Sequence, residues 1–143
     1  MNATINPYEL RAVETSSDWS SFHSIRRAVL WDARGLDGYD SEHPDDRASG
    51  NHPFLLLLDG VPIGVVRVDV SPPYAILRRV AIAQAWQRSG HGTQLVQLAE
   101  GFARRAGCSK VGSHVDREAV GFYERLGYAS TSNDDALWME REL

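Results

Sequence analysis

The segment Gln87-Arg88-Ser89-Gly90-His91-Gly92 lies between a short apolar run, Val80-Ala81-Ile82, and an amphipathic stretch that begins near Thr93. Strand, glycine-rich turn and helix in that order leave the first N–H groups of the helix without intrahelical acceptors, at the positive end of its dipole. Such a terminus binds anions. Gly90 and Gly92 carry no Cβ, so a bulky phosphate can approach the main chain closely. The chemistry indicated is the binding of a phosphate-bearing ligand by the backbone from Arg88 to Thr93, with Arg88 adding charge. Three phosphate patterns compete for this stretch. A dinucleotide fingerprint requires a third glycine where Leu95 stands, and a P-loop requires a lysine that follows neither glycine. What remains is Q/R-x-x-G-x-G/A after a strand, which Gln87 to Gly92 satisfies at each defined position.

That form resembles the acetyl-CoA pyrophosphate loop of the GCN5-related N-acetyltransferase (GNAT) family. A second stretch carries the resemblance further. Asp116-Arg117-Glu118-Ala119-Val120-Gly121-Phe122-Tyr123-Glu124-Arg125-Leu126-Gly127-Tyr128 follows the family pattern N-x-x-A-x-x-F/L-Y-E-x-L-G-F/Y almost throughout, at the family's distance from the first motif. The similarity is strong from about Val61 to Leu143 and weak before Phe54.

The resemblance implies a mixed α/β, α+β domain: a central, largely antiparallel sheet with a splayed parallel pair and flanking helices. It also implies transfer of an acetyl group from acetyl-CoA, as co-substrate, to a primary amine acceptor by direct attack in a ternary complex. The backbone of Val80, Ala81 and Ile82 would pair with the pantetheine arm, as an added strand pairs with a sheet edge. Gln87, Arg88, Ser89, Gly90, His91, Gly92 and Thr93 would hold the diphosphate, with Phe122 completing the cofactor-binding set. An N–H of the strand, at Ile82, would polarise the thioester carbonyl as an oxyanion hole does. Tyr123 would stabilise the departing thiolate. Asp116 replaces the family's asparagine, which contacts the pantetheine arm; an aspartate accepts hydrogen bonds there but lacks the amide donor.

A general base is less visible. An alkylamine of pKa ~10.4 is protonated at neutral pH, and neutralising it costs about 4–5 kcal/mol. Asp69, at the end of a strand near the expected cleft, is the first candidate catalytic base, with an exposed strand-end charge as the alternative. His114 is the second, and His91 is expected to contact cofactor or solvent. His23, His43, His52, His91 and His114 show no metal spacing, so no metal is expected. Cys108 follows a helix C-terminus, where the dipole raises a thiol's pKa, and reads as structural. Arg78, Arg79, Arg104 and Arg105 are candidates for the nucleotide's outer phosphate, with solvated surface as the alternative.

The elements that must position these residues follow from periodicity. Leu10 to Glu14 reads as a strand, and Ser17 or Asp18 as the N-cap of a helix carrying Trp19, Phe22, Ile25 and Val29. Asp32 to Asn51 reads as one long loop, of a length that is often functional. From Asp32 to Asp46, the residues Asp32, Asp37, Asp40, Glu42, Asp45 and Asp46 oppose the single cation Arg34 and would concentrate a cationic amine. Trp31 and Tyr39 could wall that site. Phe54 to Leu58, Ile63 to Val70 and Tyr74 to Ala83 read as strands, the first two joined by an Asp59-Gly60 hairpin. Thr93 to Ala106 is a helix stopped by Gly107, and Lys110 to Val115 is a strand returning beside the preceding one. Arg117 to Leu126 is a second helix stopped by Gly127. Tyr128 to Thr131 and Ala136 to Arg141 close as an antiparallel pair.

The chain has 143 residues, 43% hydrophobic and 24% charged, which suits one domain with a proper core, 1–143. A net charge of −4 argues against a nucleic-acid partner. The longest apolar run, Phe54 to Leu58, is too short to span a bilayer, and Met1 to Leu10 has no apolar signal region. One cysteine fits a reducing cytoplasm. The expected partner is a small-molecule amine, and the expected assembly a monomer or homodimer. Two other readings stay open: a non-catalytic acyl-CoA-binding or regulatory module, and an acetyltransferase of protein N-termini or lysines.

Overall fold

Phe54-Leu55-Leu56-Leu57-Leu58 shows no polar alternation because both of its faces are covered. Phe54 and Leu56 enter one apolar cluster, and Leu55 and Leu57 enter another on the opposite side of the sheet. The computed structural model describes residues 6–131 and 137–143. Its strands are β1 (Tyr8–Ala12), β2 (Asn51–Leu58), β3 (Val61–Ser71), β4 (Tyr74–Ile82), β5 (Lys110–Val115), β6 (Ala129–Ser130) and β7 (Leu137–Glu142). They form one seven-stranded sheet in the order β1-β2-β3-β4-β5-β7-β6. Each neighbouring pair is antiparallel except β4 and β5, which are parallel.

Three helices cover the sheet: α1 (Ser16–Leu30), α2 (His91–Arg105) and α3 (Val120–Arg125). α1 lays Phe22 and Leu30 over Leu55, Leu57, Val65 and Ala81. α2 lays Leu95, Val96, Ala99 and Ala103 over Phe54, Leu56, Val66 and Val68, and Tyr123 of α3 joins that second cluster. This is a mixed α/β architecture, with α2 as the crossover that a parallel β4–β5 pair requires.

Local chemistry sets the boundaries. Asp59 and Gly60 both take positive φ, at 49° and 80°, which fits the two-residue hairpin between β2 and β3. Gly107 and Gly127, each at φ 93°, end their helices with Cys108 N–H reaching Ala103 O and Tyr128 N–H reaching Tyr123 O. The first helix is capped by Thr15 rather than Ser17 or Asp18. Thr15 accepts from Asp18 N–H while the Asp18 carboxylate accepts from Thr15 N–H, a reciprocal box that places aspartate at the third helical position. β1 lies earlier than Leu10 to Glu14 because its pairing with β2 ends at Ala12↔Phe54, and the chain then turns into that cap. The long loop contains two 3-10 turns, at Asp32–Arg34 and Pro44–Arg47, and β2 begins at Asn51. α2 starts at His91, two residues before Thr93. The segment Arg117–Ala119 is a 3-10 turn that leads into α3. The expected strand start at Ala136 lies outside the described residues.

Glu100 of α2 is a buried charge that ties this helix to the far end of the sheet. Its carboxylate accepts from the Tyr128 hydroxyl at 2.8 Å and from Arg141 at 2.7 Å. Burial and the neighbouring carboxylate raise the Tyr128 hydroxyl far above the usual phenol range, so it stays a donor. Removing one member of a buried ionic network strands the others. Glu100→Ala is therefore expected to lower stability by about 3 kcal/mol, read from denaturant midpoints with an unchanged slope. A loss below 1 kcal/mol would show that water replaces the carboxylate.

Candidate active site

β4 and β5 part company halfway along their length. Their parallel pairing runs from Tyr74↔Lys110 to Leu77↔Ser113 and stops, although β4 continues to Ile82 and β5 to Val115. A bulge in β4 explains the parting. Between Arg67↔Arg78 and Val65↔Ala81, β4 carries one residue more than β3, and Arg79 sits there with φ +58°. Bulges bend a strand and increase its local twist, which here turns β4 away from β5. At the apex the buried Ser113 hydroxyl donates to Leu77 O at 2.9 Å, closing the last pair. Beyond it opens a cleft of about 870 Å³, with Val80, Ala81 and Ile82 on one wall and Val115, Phe122 and Tyr123 among the residues opposite.

β4 delivers the chain from this cleft into the glycine loop. Gln87 Nε2 donates to Ile82 O at 2.9 Å and fixes the corner. Arg88 and Gly90 both adopt left-handed backbone, at φ 64° and 85°. Gly90 is the N-cap of α2, and no side chain caps that end. Among the described residues, no acceptor is found for the backbone N–H groups from Arg88 to Thr93, which is the donor set an anion needs. Gly92 packs against α3: a Cβ there would lie 3.3 Å from the Phe122 ring. A second cavity of about 340 Å³, lined by Arg88, Gly90, Gly92, Thr93 and Phe122, adjoins these N–H groups. The loop, the unpaired strand edge and the cleft together fit an elongated ligand that has a diphosphate at one end and an amide-bearing arm.

Tyr123 stands on the inner wall of the cleft and is 6% exposed. Burial pushes its hydroxyl up to about 12, partly offset by a hydrogen bond with Ser113, while the Asp116 charge adds to the rise. It is a neutral donor throughout the physiological range.

On the far side of the apex lies a cavity of about 550 Å³. Its wall is a chain of alternating charges. Arg26 of α1 forks onto Asp46, with hydrogen bonds of 2.9 and 2.5 Å. Asp46 also accepts from Arg67 at 3.0 Å, and Arg67 grips Asp69 at 2.8 and 3.0 Å. Asp69 then accepts from Arg78 at 3.0 Å. Burial alone would raise the Asp46 carboxyl, but Arg26 and Arg67 hold it below the usual range. Tyr39 joins by accepting from Arg26 at 3.0 Å and pairing with His23 at 2.5 Å. His114 lines both this cavity and the cleft, packed edge-on against Trp138.

The acetyltransferase (GNAT) family profile matches residues 14–128. The chain belongs to that family. A Bacillus subtilis (strain 168) protein named "Putative acetyltransferase BSU40680" is 27% identical over 129 residues, covering 90% of this chain and 88% of that one. Escherichia coli ElaA shares the fold at TM-score 0.80 and 17% identity, with 94% and 98% of the two chains covered. The PaiA N-acetyltransferase of Thermoplasma acidophilum, solved in complex with coenzyme A, does so at 0.77 and 17%, with 95% and 99% covered. Membership supports acyl-CoA-dependent acetyl transfer in general.

Set against the GNAT motif expectations, Val80, Ala81, Ile82, Arg88, Gly90, Gly92, Thr93 and Phe122 border the cleft or its adjoining cavity, with Tyr123 at the inner wall. Ser89 bends back towards Gln87 O, at 3.5 Å. The His91 side chain turns away: Nδ1 meets the Tyr8 hydroxyl at 2.6 Å and Trp86 packs beside it, so only its N–H remains with the loop. Asp116 forms an ion pair with Arg34 at 2.6 Å, bridging two segments that line the cleft. Asp69 is on the wall of the cavity beyond the apex, with both oxygens already engaged. Arg104 and Arg105 occupy the last turn of α2, about 20 Å from its N-terminus and so far from the phosphate loop. Arg78 and Arg79 line the cavity beyond the apex. Among the described residues no group of three or more His, Cys, Asp or Glu could hold a metal. Cys108 is buried and donates to Tyr74 O, and burial raises its thiol. Ser113 and the Arg67 bridge carry no local sequence signal, since each acts through a partner on another strand.

The raised Tyr123 hydroxyl has a consequence for stability. Its folded pKa of about 12 exceeds the ordinary phenol value of 10, so above pH 10 the unfolded chain loses this proton first. Stability then falls as pH rises from 10 to 12, by up to about 2.7 kcal/mol from this group. Denaturant unfolding at pH 9, 10 and 11 should show that slope reduced, not abolished, in Tyr123→Phe, because Tyr128 titrates in the same sense. An unchanged slope would mean that Tyr123 is solvated.

Proposed function

We propose that this chain moves the acetyl group of acetyl-CoA to a primary amine on a small molecule, by direct attack while both are bound. The observation that carries this reading is the continuous path from the glycine loop, along the unpaired β4 edge, to a separate cavity beyond the Leu77–Ser113 apex. The donor would lie with its diphosphate on the N–H groups of Arg88 to Thr93. Its pantetheine arm would pair with Val80 to Ile82, and its thioester would sit beside Tyr123. The acceptor would enter from the opposite cavity.

Tyr123 suits a hydrogen-bonding role better than proton donation. A phenol at about 12 facing an ordinary alkyl thiol near 8.5 makes full transfer uphill by roughly 5 kcal/mol. A hydrogen bond to the developing thiolate needs no transfer and strengthens as charge accumulates. For the base, Asp69 would first have to surrender a hydrogen bond from Arg67 or Arg78. His114 faces both compartments, and a neutral imidazole carries a ring nitrogen that can accept a proton. We therefore assign proton removal to His114 and the setting of Arg67 and Arg78 to Asp69. Tyr39, Asp40 and His43 of the long loop help line this cavity of about 550 Å³, a volume that suits a small acceptor.

Thiol release measured across a panel of amines tests the reading. Tyr123→Phe should lower kcat about 10–100-fold and His114→Gln about 100-fold, each with unchanged acetyl-CoA affinity. Asp69→Asn should chiefly cost stability, because it loosens Arg67 and Arg78. Were Asp69→Asn inactive though folded, and His114→Gln active, the base would be Asp69. Tight acetyl-CoA binding without turnover on any amine would leave a non-catalytic acyl-CoA module.

A further inference from the structure

Four arginines line the acceptor-side cavity, and the carboxylates on its wall satisfy three of them. Arg26 is held by Asp46, Arg67 by Asp46 and Asp69, and Arg78 by Asp69. Arg79 is different. Among the described residues it has no carboxylate partner, and its guanidinium lies 5.1 Å above the Trp31 ring. It borders both the acceptor cavity and the donor cleft, at the point where they meet.

The backbone places it there deliberately. The β4 bulge puts Arg79 in left-handed conformation, a region that side-chain-bearing residues other than Asn and Asp adopt rarely. Val80 follows directly, so Arg79 is next along the strand from the residues expected to meet the pantetheine arm. The nearby negative charges do not neutralise it. Asp46 and Asp69 are each shared between two other arginines, and Asp116 is paired with Arg34. Asp40 and Asp45 line the cavity through exposed side chains of the covering loop. Burial, and then repulsion from Arg26, Arg34, Arg67 and Arg78, pushes the Arg79 pKa down, the mark of uncompensated positive charge in the wall.

We infer that Arg79 is the recognition point for an oxyanion on the acceptor, so that the preferred acceptor is an amine that also carries a carboxylate or phosphate group. A planar guanidinium matches either group through two parallel hydrogen bonds. Stacking on Trp31 holds its plane, which lowers the ordering cost of binding. The acceptor would be anchored by its anion beside the apex, with its amine free to reach the thioester. This inference rests on the acetyl-transfer reading above for the direction of approach, but the anion subsite itself does not require turnover.

The test uses the full chain with acetyl-CoA and matched acceptors: phenylalanine, its carboxamide, phenethylamine and O-phosphoethanolamine. Thiol release gives kcat/KM, and calorimetry on the CoA-loaded protein gives binding. Amines with an oxyanion should exceed the neutral ones at least tenfold in kcat/KM or in affinity. Carboxylate and phosphate members separate the two anion types. Arg79→Gln should erase that preference chiefly through KM, Arg79→Lys should keep part of it, and acetyl-CoA affinity and thermal midpoint should hold in both. Neutral amines turned over as well as anionic ones, or Arg79→Gln weakening all acceptors equally, would overturn the inference and leave acetyl transfer standing. Arg79-dependent binding of anionic amines without turnover would support the subsite and remove the enzyme reading. Neither binding nor turnover would remove both.

Discussion

One extra residue in β4 governs this molecule. A parallel pair that stayed in register to its end would satisfy its edge groups internally and offer a ligand nothing. The bulge at Arg79 ends that pairing after Leu77↔Ser113, leaving the remainder of β4 attached only to β3 on its other side. The cost is one left-handed arginine and unpaired main-chain groups in a region of otherwise well-packed sheet. Three consequences follow from this single break. A cleft opens, Tyr123 faces it from α3, and the strand runs directly into the N-terminus of α2.

The two sides of that break are stabilised by different physics. Around the cleft and glycine loop the candidate groups are largely backbone: strand edge, glycine loop and helix terminus. Their geometry is held by packing, with Gly92 against Phe122 and the Gln87 amide on Ile82 O. Around the cavity beyond the apex they are side chains, and the scaffold is ionic. Asp46, carried by the long loop, is buried between Arg26 of α1 and Arg67 of β3. Loss of that one carboxylate would leave two buried guanidinium groups facing each other, so the loop is fixed over the cavity by electrostatics more than by apolar contact. Arg47 over the Trp19 ring, at 4.2 Å, adds a second tether on the α1 side.

The division explains what could be read in the sequence. The glycine loop and the Ala119 to Tyr128 pattern are contiguous, because backbone donors and a helix face need neighbours along the chain. So are the Asp59-Gly60 hairpin and both helix stops. The bulge leaves no such trace: Arg78-Arg79-Val80 reads as ordinary strand, and only its misregister with β3 exposes it. The acidic residues of the long loop read as one cluster, yet they take separate roles. Asp46 is internal scaffold, Asp32 pairs with Arg27 outside, and Asp40 and Asp45 remain at the cavity. Asp69 stands out in the sequence only by its position at a strand end. Its three hydrogen bonds come from residues two and nine positions away, and only the β3–β4 register brings the second of them near. His91 likewise belongs to Tyr8, 83 residues earlier.

The same asymmetry bears on how selectivity could vary on this fold. Backbone groups cannot be exchanged by substitution, so a donor site built from them tolerates drift in sequence while keeping its ligand. Side chains on the acceptor wall have no such protection. A single exchange among Arg67, Asp69, Arg78 and Arg79 changes which guanidinium is left without a carboxylate, and so moves the positive charge within the cavity. With as many inner carboxylates as guanidinium groups the wall would neutralise itself and select for shape alone. Three arginines share the inner carboxylates Asp46 and Asp69, and Arg79 adds a fourth guanidinium where the cavity meets the cleft, while Asp40 and Asp45 stay on the exposed loop. Placing that charge three residues from Ile82, the expected thioester contact, would link recognition of an acceptor to its orientation for attack. An anion held at that point restricts the attached amine to a short radius, and proximity of this kind accounts for much of the rate advantage of a bound reactant.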